Sequence, residues 1–100
     1  MALFRCVGKS IDFVDSYYVK SASQTYTFPQ NLSSCYVCVS TNDTATHGTY
    51  TGNGTMTTVR TNTSQVINYI TNVSAGDKFK APKYSVQENG RTNIFILGTT

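Results

Sequence analysis

From Thr25 onward the chain is written in short runs that alternate apolar and polar positions, each broken by Asn, Gly, Ser or Pro. Thr25-Tyr26-Thr27-Phe28, closed by Pro29, and Cys35-Tyr36-Val37-Cys38-Val39-Ser40, opened by Asn31 and Ser33-Ser34, both read as strands. Thr55 to Arg60 and Gln65 to Val73 follow as two more, joined by Thr61-Asn62-Thr63-Ser64. In the second of these, Val66, Ile67, Tyr69, Ile70 and Val73 also recur at helical spacing, so a short helix competes; the β-branched content and Thr71-Asn72 favour strand. Ser74-Ala75-Gly76-Asp77 reads as a turn into Lys78-Phe79-Lys80-Ala81, where period-two alternation points Phe79 inward and both lysines outward until Pro82 ends the run. Tyr84-Ser85-Val86 and Thr92 to Leu97 flank Asn89-Gly90, a strong hairpin signal. The last run, apolar on both faces, is expected to be central or covered.

Two regions are less regular. Residues 1–24 hold apolar pairs at Leu3-Phe4, Phe13-Val14 and Tyr17-Tyr18 separated by Gly8, Ser10, Asp12, Asp15 and Ser16, a text that fits either an N-terminal arm or a first strand. Thr41 to Gly54 packs Asn42, Asp43, Gly48, Gly52, Asn53 and Gly54 around Thr49-Tyr50-Thr51, which predicts a long loop or a poorly paired edge hairpin. Seven or eight short strands at spacings of about 8–12 residues, with no amphipathic helix, predict an all-β fold: an antiparallel β-sandwich, jelly-roll-like, over residues 25–100 with residues 1–24 as its arm or first strand. An immunoglobulin-type core is disfavoured, because the chain has no Trp and Cys35 and Cys38 are too close to span two sheets.

Composition narrows the function classes. One hundred residues make one domain, large enough to bury roughly two thirds of its unfolded surface without disulfide or metal staples. Thr, Ser and Asn supply 34 residues and charged side chains only 13. The net charge of +3 is spread thinly, with only Lys78, Lys80 and Lys83 clustered, too sparse for a phosphate-tracking surface; nucleic-acid binding through these and Arg91 is disfavoured. No stretch approaches the roughly 20 apolar residues of a membrane helix, and the amino terminus carries no secretory signal, so the expectation is a soluble chain kept in the cytoplasm or exported only within something larger.

Candidate chemistry is thin. Cys35-x-x-Cys38 has the spacing of a metal half-site, but residues three apart on a strand face opposite ways, and three cysteines including Cys6 cannot all pair; they read as small apolar fillers. His47, near Asp43, Thr44 and Thr46, sits in a background already rich in Thr, so neither a hydrolase using it nor one using Cys35 is favoured, and no catalytic, cofactor or metal residue is assigned. Asp12 and Asp15 are expected to solvate the arm. Five Asn-x-Ser/Thr triplets, at Asn31, Asn42, Asn53, Asn62 and Asn72, are expected from composition alone. Tyr17, Tyr18, Tyr36 and Tyr50 are candidates for a sugar-stacking or protein-docking patch, or for core and cross-strand positions.

The succession Tyr26-Thr27-Phe28, Tyr36-Val37-Cys38-Val39-Ser40, Gly52-Asn53-Gly54-Thr55, Val73-Ser74-Ala75-Gly76-Asp77 and Ile94-Phe95-Ile96-Leu97-Gly98 resembles the small β-sandwich structural proteins of tailed bacteriophages, over residues 24–98. The resemblance implies a non-enzymatic virion component, a capsid decoration protein or a tail or fibre appendage, that forms homo-oligomers and contacts other virion proteins without a cofactor. In that reading Leu3, Phe4, Phe13 and Tyr17 form an assembly arm lying across a neighbouring subunit. The alternative is a carbohydrate-binding sandwich, for host adsorption or as a lectin, whose ligand patch gathers Asn42, Asp43, His47 and Tyr50 and takes a surface glycan.

Overall fold

The computed structural model describes residues 10–19, 24–41, 44–81 and 91–100. Eight strands run in chain order: β1 (Phe13–Val19), β2 (Thr25–Thr27), β3 (Leu32–Thr41), β4 (Thr49–Thr51), β5 (Thr55–Asn62), β6 (Gln65–Val73), β7 (Lys78–Lys80) and β8 (Thr92–Thr99). They form a five-stranded sheet in the order β1-β8-β3-β6-β5 and a three-stranded sheet in the order β2-β7-β4, packed as a sandwich. Every neighbouring pair is antiparallel. The all-β sandwich expected from alternation is therefore the fold.

The alternation does the work locally. Cys35, Val37 and Val39 of β3, Val66 and Ile70 of β6, and Ile94 and Ile96 of β8 all face the small sheet and are buried. The helical spacing in Gln65–Val73 has no structural counterpart, since β-branched side chains pack well on a pleat and β3 and β5 both pair with this run. Near its end Asn72 takes a left-handed conformation (φ 59°), which Asn tolerates and β-branched residues do not, and beyond it Val73 turns into the core beside Leu32. Asn62 accepts from Ser64 N (2.9 Å) and Ser64 Oγ (3.1 Å), an Asx turn closing the β5–β6 hairpin. Among the polar side chains that lie inside, Asn68 donates to Val37 O (3.0 Å) and accepts from Thr58 Oγ1 (2.9 Å).

The small sheet contributes one row of inward side chains. In register across it stand Tyr26, Phe79 and Tyr50, with Phe79 fully buried and its flanking Lys78 and Lys80 facing solvent, as the alternation predicts. Tyr26 stacks on Tyr17 of β1 (centroids 5.4 Å apart) and meets the edge of Phe28 (5.1 Å), and its hydroxyl donates to Asp15 Oδ2 (2.7 Å) on the other sheet. At the turn after β6, Gly76 N donates to Phe28 O and Phe28 N to Asp77 O, joining that turn to the chain leaving β2.

Three stretches take a more definite form. Thr49–Thr51, expected in a long loop or a poorly paired edge hairpin, is an edge strand of the second sheet, paired with β7, and Tyr50 packs against the core. Of the two readings of the amino-terminal stretch, Phe13–Val19 is the first strand, with Phe13 and Tyr17 packed against this chain's own core instead of lying on a neighbouring subunit. Asp12 and Asp15 do not merely solvate: Asp12 accepts from Thr100 N (2.8 Å) and from the Thr100 hydroxyl, tying the carboxyl end to the start of β1, and these bonds lower its pKa. Leu3, Phe4, Tyr84-Ser85-Val86 and the Asn89-Gly90 turn lie outside the described residues.

Two left-handed glycines separate backbone cost from packing cost. A Cβ on Gly76 (φ +94°) meets nothing within 4 Å, whereas one on Gly48 (φ +82°) lands 2.6 Å from Phe79 Cζ and 2.9 Å from Lys80 O. Gly76→Ala should therefore lower unfolding free energy by about 1 kcal/mol, the left-handed penalty alone. Gly48→Ala should lower it by roughly 2–4 kcal/mol, since Phe79 must leave its rotamer. Urea titrations of the two variants measure the difference, and equal losses would contradict this packing.

Candidate functional site

Of the four residues chosen from sequence for a ligand patch, Tyr50 and His47 are described. Tyr50 faces the core; its hydroxyl donates to Asp77 Oδ2 (2.6 Å) and accepts from Gly54 N (3.0 Å). Asp77 Oδ2 also accepts from Ser74 N (2.9 Å), so this cluster is a brace between the small sheet and the turns on either side of β5 and β6. Burial, then the bond to Asp77, raises the Tyr50 pKa. His47 is exposed, its Nδ1 2.5 Å from Gly48 O, while Asn42 and Asp43 lie outside the described residues. The adjoining segment is pinned: Arg60 Nη2 donates to Ala45 O (2.7 Å) and Arg60 Nη1 to Thr63 O (3.0 Å).

The two described cysteines separate as the strand period requires. Cys35 is buried among apolar side chains, which pushes its thiol up to about 12, while Cys38 on the opposite face is partly exposed and its pKa is also raised by burial. Among the described residues no group of three His, Cys, Asp or Glu side chains is placed to hold a metal ion. Nor, among them, is any helix long and apolar enough to cross a membrane.

The feature that the fold assembles, and that no single run announces, is the outer face of the five-stranded sheet. Register places two adjacent rows across all five strands. One runs Val14, Leu97, Tyr36, Tyr69, Thr57; the other runs Ser16, Phe95, Cys38, Ile67, Val59. Neither row contains an ionisable residue other than the tyrosines and Cys38. Tyr36 and Tyr69 are cross-strand neighbours with ring centroids 5.0 Å apart, and Phe95 is half exposed beside them. Polar residues border the band: Asn93, Ser40 and Gln65 on one side, Ser34, Thr71 and Thr55 on the other. Tyr18, exposed at the border, lies under the Arg91 guanidinium, 4.7 Å from the ring centroid.

Relief on this face comes from two hollows. Ser16, Tyr18, Gln24, Asn93 and Phe95 line a shallow groove of about 460 Å³ at the β1 edge. Phe95, Cys38, Ile67, Ser40 and Gln65 surround a smaller one of about 240 Å³ over β3. Of the four tyrosines singled out in the sequence, Tyr18 and Tyr36 belong to this face, while Tyr17 and Tyr50 belong to the core. The signal for the face was the both-sided apolar text of Ile94-Phe95-Ile96-Leu97: β8 is central, as expected, but only its Ile94 side is covered. No protein-family model matches the chain, and no curated protein or solved structure is significantly similar to it.

The tyrosines permit a sharp test. Tyr17 Oη is buried with no hydrogen-bond partner, and burial raises its pKa to about 12, so Tyr17→Phe should leave the urea midpoint unchanged or raise it. Tyr50→Phe orphans Asp77 and Gly54 N and should cost about 1–3 kcal/mol; equal effects in the two variants would refute the assignment of Tyr50 as brace.

A second test uses pH. The Cys35 and Tyr17 pKa values are raised in the folded chain from 9.0 and 10.0 to about 12, so the folded state holds protons that the unfolded chain releases. That stability is fully present below pH 9 and is lost as pH rises toward about 12. Urea midpoints measured from pH 8 upward should decline through this window, and the decline should begin later in Cys35→Ala; a flat profile would count against both buried groups.

Proposed function

We propose that this chain is a non-enzymatic virion structural protein, a capsid decoration protein or a tail or fibre appendage, whose working surface is the outer face of its five-stranded sheet. The observation that carries the reading is the apolar band across β1, β8, β3, β6 and β5, whose two rows hold no charged side chain and whose border is polar, with Arg91 over Tyr18 at one corner. An apolar, aromatic centre inside a polar rim, depleted of charge, is the anatomy of a protein–protein interface. Sheets that face water instead carry polar outward positions, and apolar patches of this extent on a lone chain mark interaction sites. A thin slab, 43 × 33 × 19 Å, with one such broad face suits a subunit laid flat against a larger assembly.

A second reading, a carbohydrate-binding sandwich, draws on the groove at the β1 edge, where Tyr18 and Phe95 offer ring faces beside the Ser16, Gln24 and Asn93 polar groups. It moves the ligand site away from Tyr50 and His47.

Mass spectrometry of density-banded particles from the source of this chain tests the first reading. The chain should be present in the particle at stoichiometric level, and a Tyr36→Lys variant should be depleted from it. Confinement of the wild-type chain to the particle-free fraction, with millimolar binding of simple glycans abolished by Tyr18→Ala, would replace the first reading with the second.

A further inference from the structure

We propose that the occupant of the outer face is a second copy of this chain, docked face to face about a two-fold axis passing near β3; this deepens the assembly reading above and rests on it.

The area is the first argument. Seven large apolar side chains on the outward side of β1, β3, β5, β6 and β8 are between 36% and 68% exposed. With roughly 150–250 Å² for each of the four aromatic side chains and less for the three aliphatic ones, they present on the order of 600 Å² of surface. That reaches the upper end of the roughly 300–600 Å² of the largest patch on a typical monomer. With the polar rim added it approaches the about 800 Å² that each partner contributes to a standard interface.

Charge is the second. In an isologous contact every group meets its own kind of surface, so any charge near the axis is brought toward an identical charge. The two apolar rows hold none, and the lysines of β7 stand on the outer surface of the other sheet, on the far side of the sandwich. A chain of net charge +3 thus offers a copy of itself the one broad face on which repulsion is least. Among the described residues the charge at its border is Arg91, over Tyr18, and a strongly basic or acidic partner finds no charged side chain within the two rows to pair with.

Shape is the third. β3 is the middle strand of five, so Tyr36 and Cys38 lie at the centre of the face. The half-exposed ring of Phe95 and the hollow beside Cys38 and Ile67 occupy the same patch. A two-fold axis near β3 sets the ring of one copy against the hollow of the other, and the converse contact follows by symmetry. Twisted sheets stack in this way about 10 Å apart, within about 30° of alignment. Pairing through the edge of β5 instead would add backbone hydrogen bonds but leave the band in water.

Sedimentation of the full chain across roughly 1 μM to 1 mM, beside the Tyr36→Lys/Phe95→Lys variant, decides the question. Both substituted side chains are exposed in the single chain, so the variant should keep its circular dichroism and a cooperative urea transition, its midpoint lowered only by the lost Tyr36–Tyr69 cross-strand contact, while its dimer dissociation constant rises by at least about 100-fold, the loss expected when two anchor residues are removed. In a Cys6→Ser background a short bis-maleimide should link two copies through Cys38, Cys35 being buried, and should fail to do so in the double variant. A dimer unaffected by the two lysines lies elsewhere on the molecule and overturns the proposal. A chain that stays monomeric throughout the range but still enters particles also overturns it, placing a different virion subunit on the face and leaving the assembly reading intact. A dimer of the expected kind in a chain excluded from particles supports the interface and removes the virion reading.

Discussion

The fold depends on a single row of three rings. Each strand of the small sheet is three residues long and turns one side chain inward, so Tyr26, Phe79 and Tyr50, in register, are that sheet's whole contribution to the core. Opposite them lie the inward residues of strands seven to ten residues long. The disproportion explains why the three are aromatic: no aliphatic side chain covers as much of a neighbouring sheet from one position. It also explains the hydroxyl anchors. Asp15 and Asp77 each take a tyrosine hydroxyl at the ends of the row, so the rings are fixed in direction as well as depth, and burial of their polar ends is compensated.

From that disproportion follows the character of the other side. A two-layer sandwich covers one face of each sheet, and here the larger sheet has a second face that the small one cannot reach. The usual solution is to make the outward positions charged, which also discourages edge and face association. β3, β6 and β8 instead carry Tyr36, Cys38, Tyr69, Ile67, Phe95 and Leu97 outward. These are strand-favouring side chains, so they support the sheet they stand on through cross-strand pairs such as Tyr36 with Tyr69. The same choice leaves apolar area in water. Sheet stability and the apolar character of the face therefore share one set of residues, so a substitution on it changes the face and removes a cross-strand contact together.

Much of the fold was legible because a strand writes its burial into every second residue. Lys78-Phe79-Lys80 gave its inward side without ambiguity, Cys35 and Cys38 stand on opposite faces as their spacing requires, and Asn62 and Gly76 marked turns that the structure contains. Pairing was not legible. Nothing local tells Thr49–Thr51 to join β7 across the second sheet, or Phe13–Val19 to take the free edge of β8; those choices are made by non-local packing, with Tyr50 and Tyr17 completing a core assembled from distant runs. The site suffered most from this. Tyr50 looked available because its neighbours are Thr and Gly, yet its partner Asp77 is 27 positions away. Tyr36 was one of four tyrosines with nothing local to separate it from the buried ones, and Phe95 looked like an ordinary strand residue, until register set both on one face with Tyr69 and Leu97.

The Thr, Ser and Asn that dominate the composition take on a physical sense in that setting. Part of the asparagine is structural: Asn31 accepts from Ala75 N, Asn62 closes a hairpin, Asn68 fills a buried donor–acceptor pair and Asn72 supplies a left-handed kink. The hydroxyls on the large sheet's outer face serve differently. A hydroxyl or amide carried out of water loses far less than an ionised group does, and a hydroxyl can donate or accept as the opposing surface requires. A rim of Ser34, Ser40, Thr55 and Thr71 around an apolar centre can thus be dehydrated without placing an unpaired charge inside a contact. Lysines or acids at the same positions would have to be paired, or stay in water. The scarcity of charge is then a property of the face, written into strands whose inward halves are fully accounted for by the core.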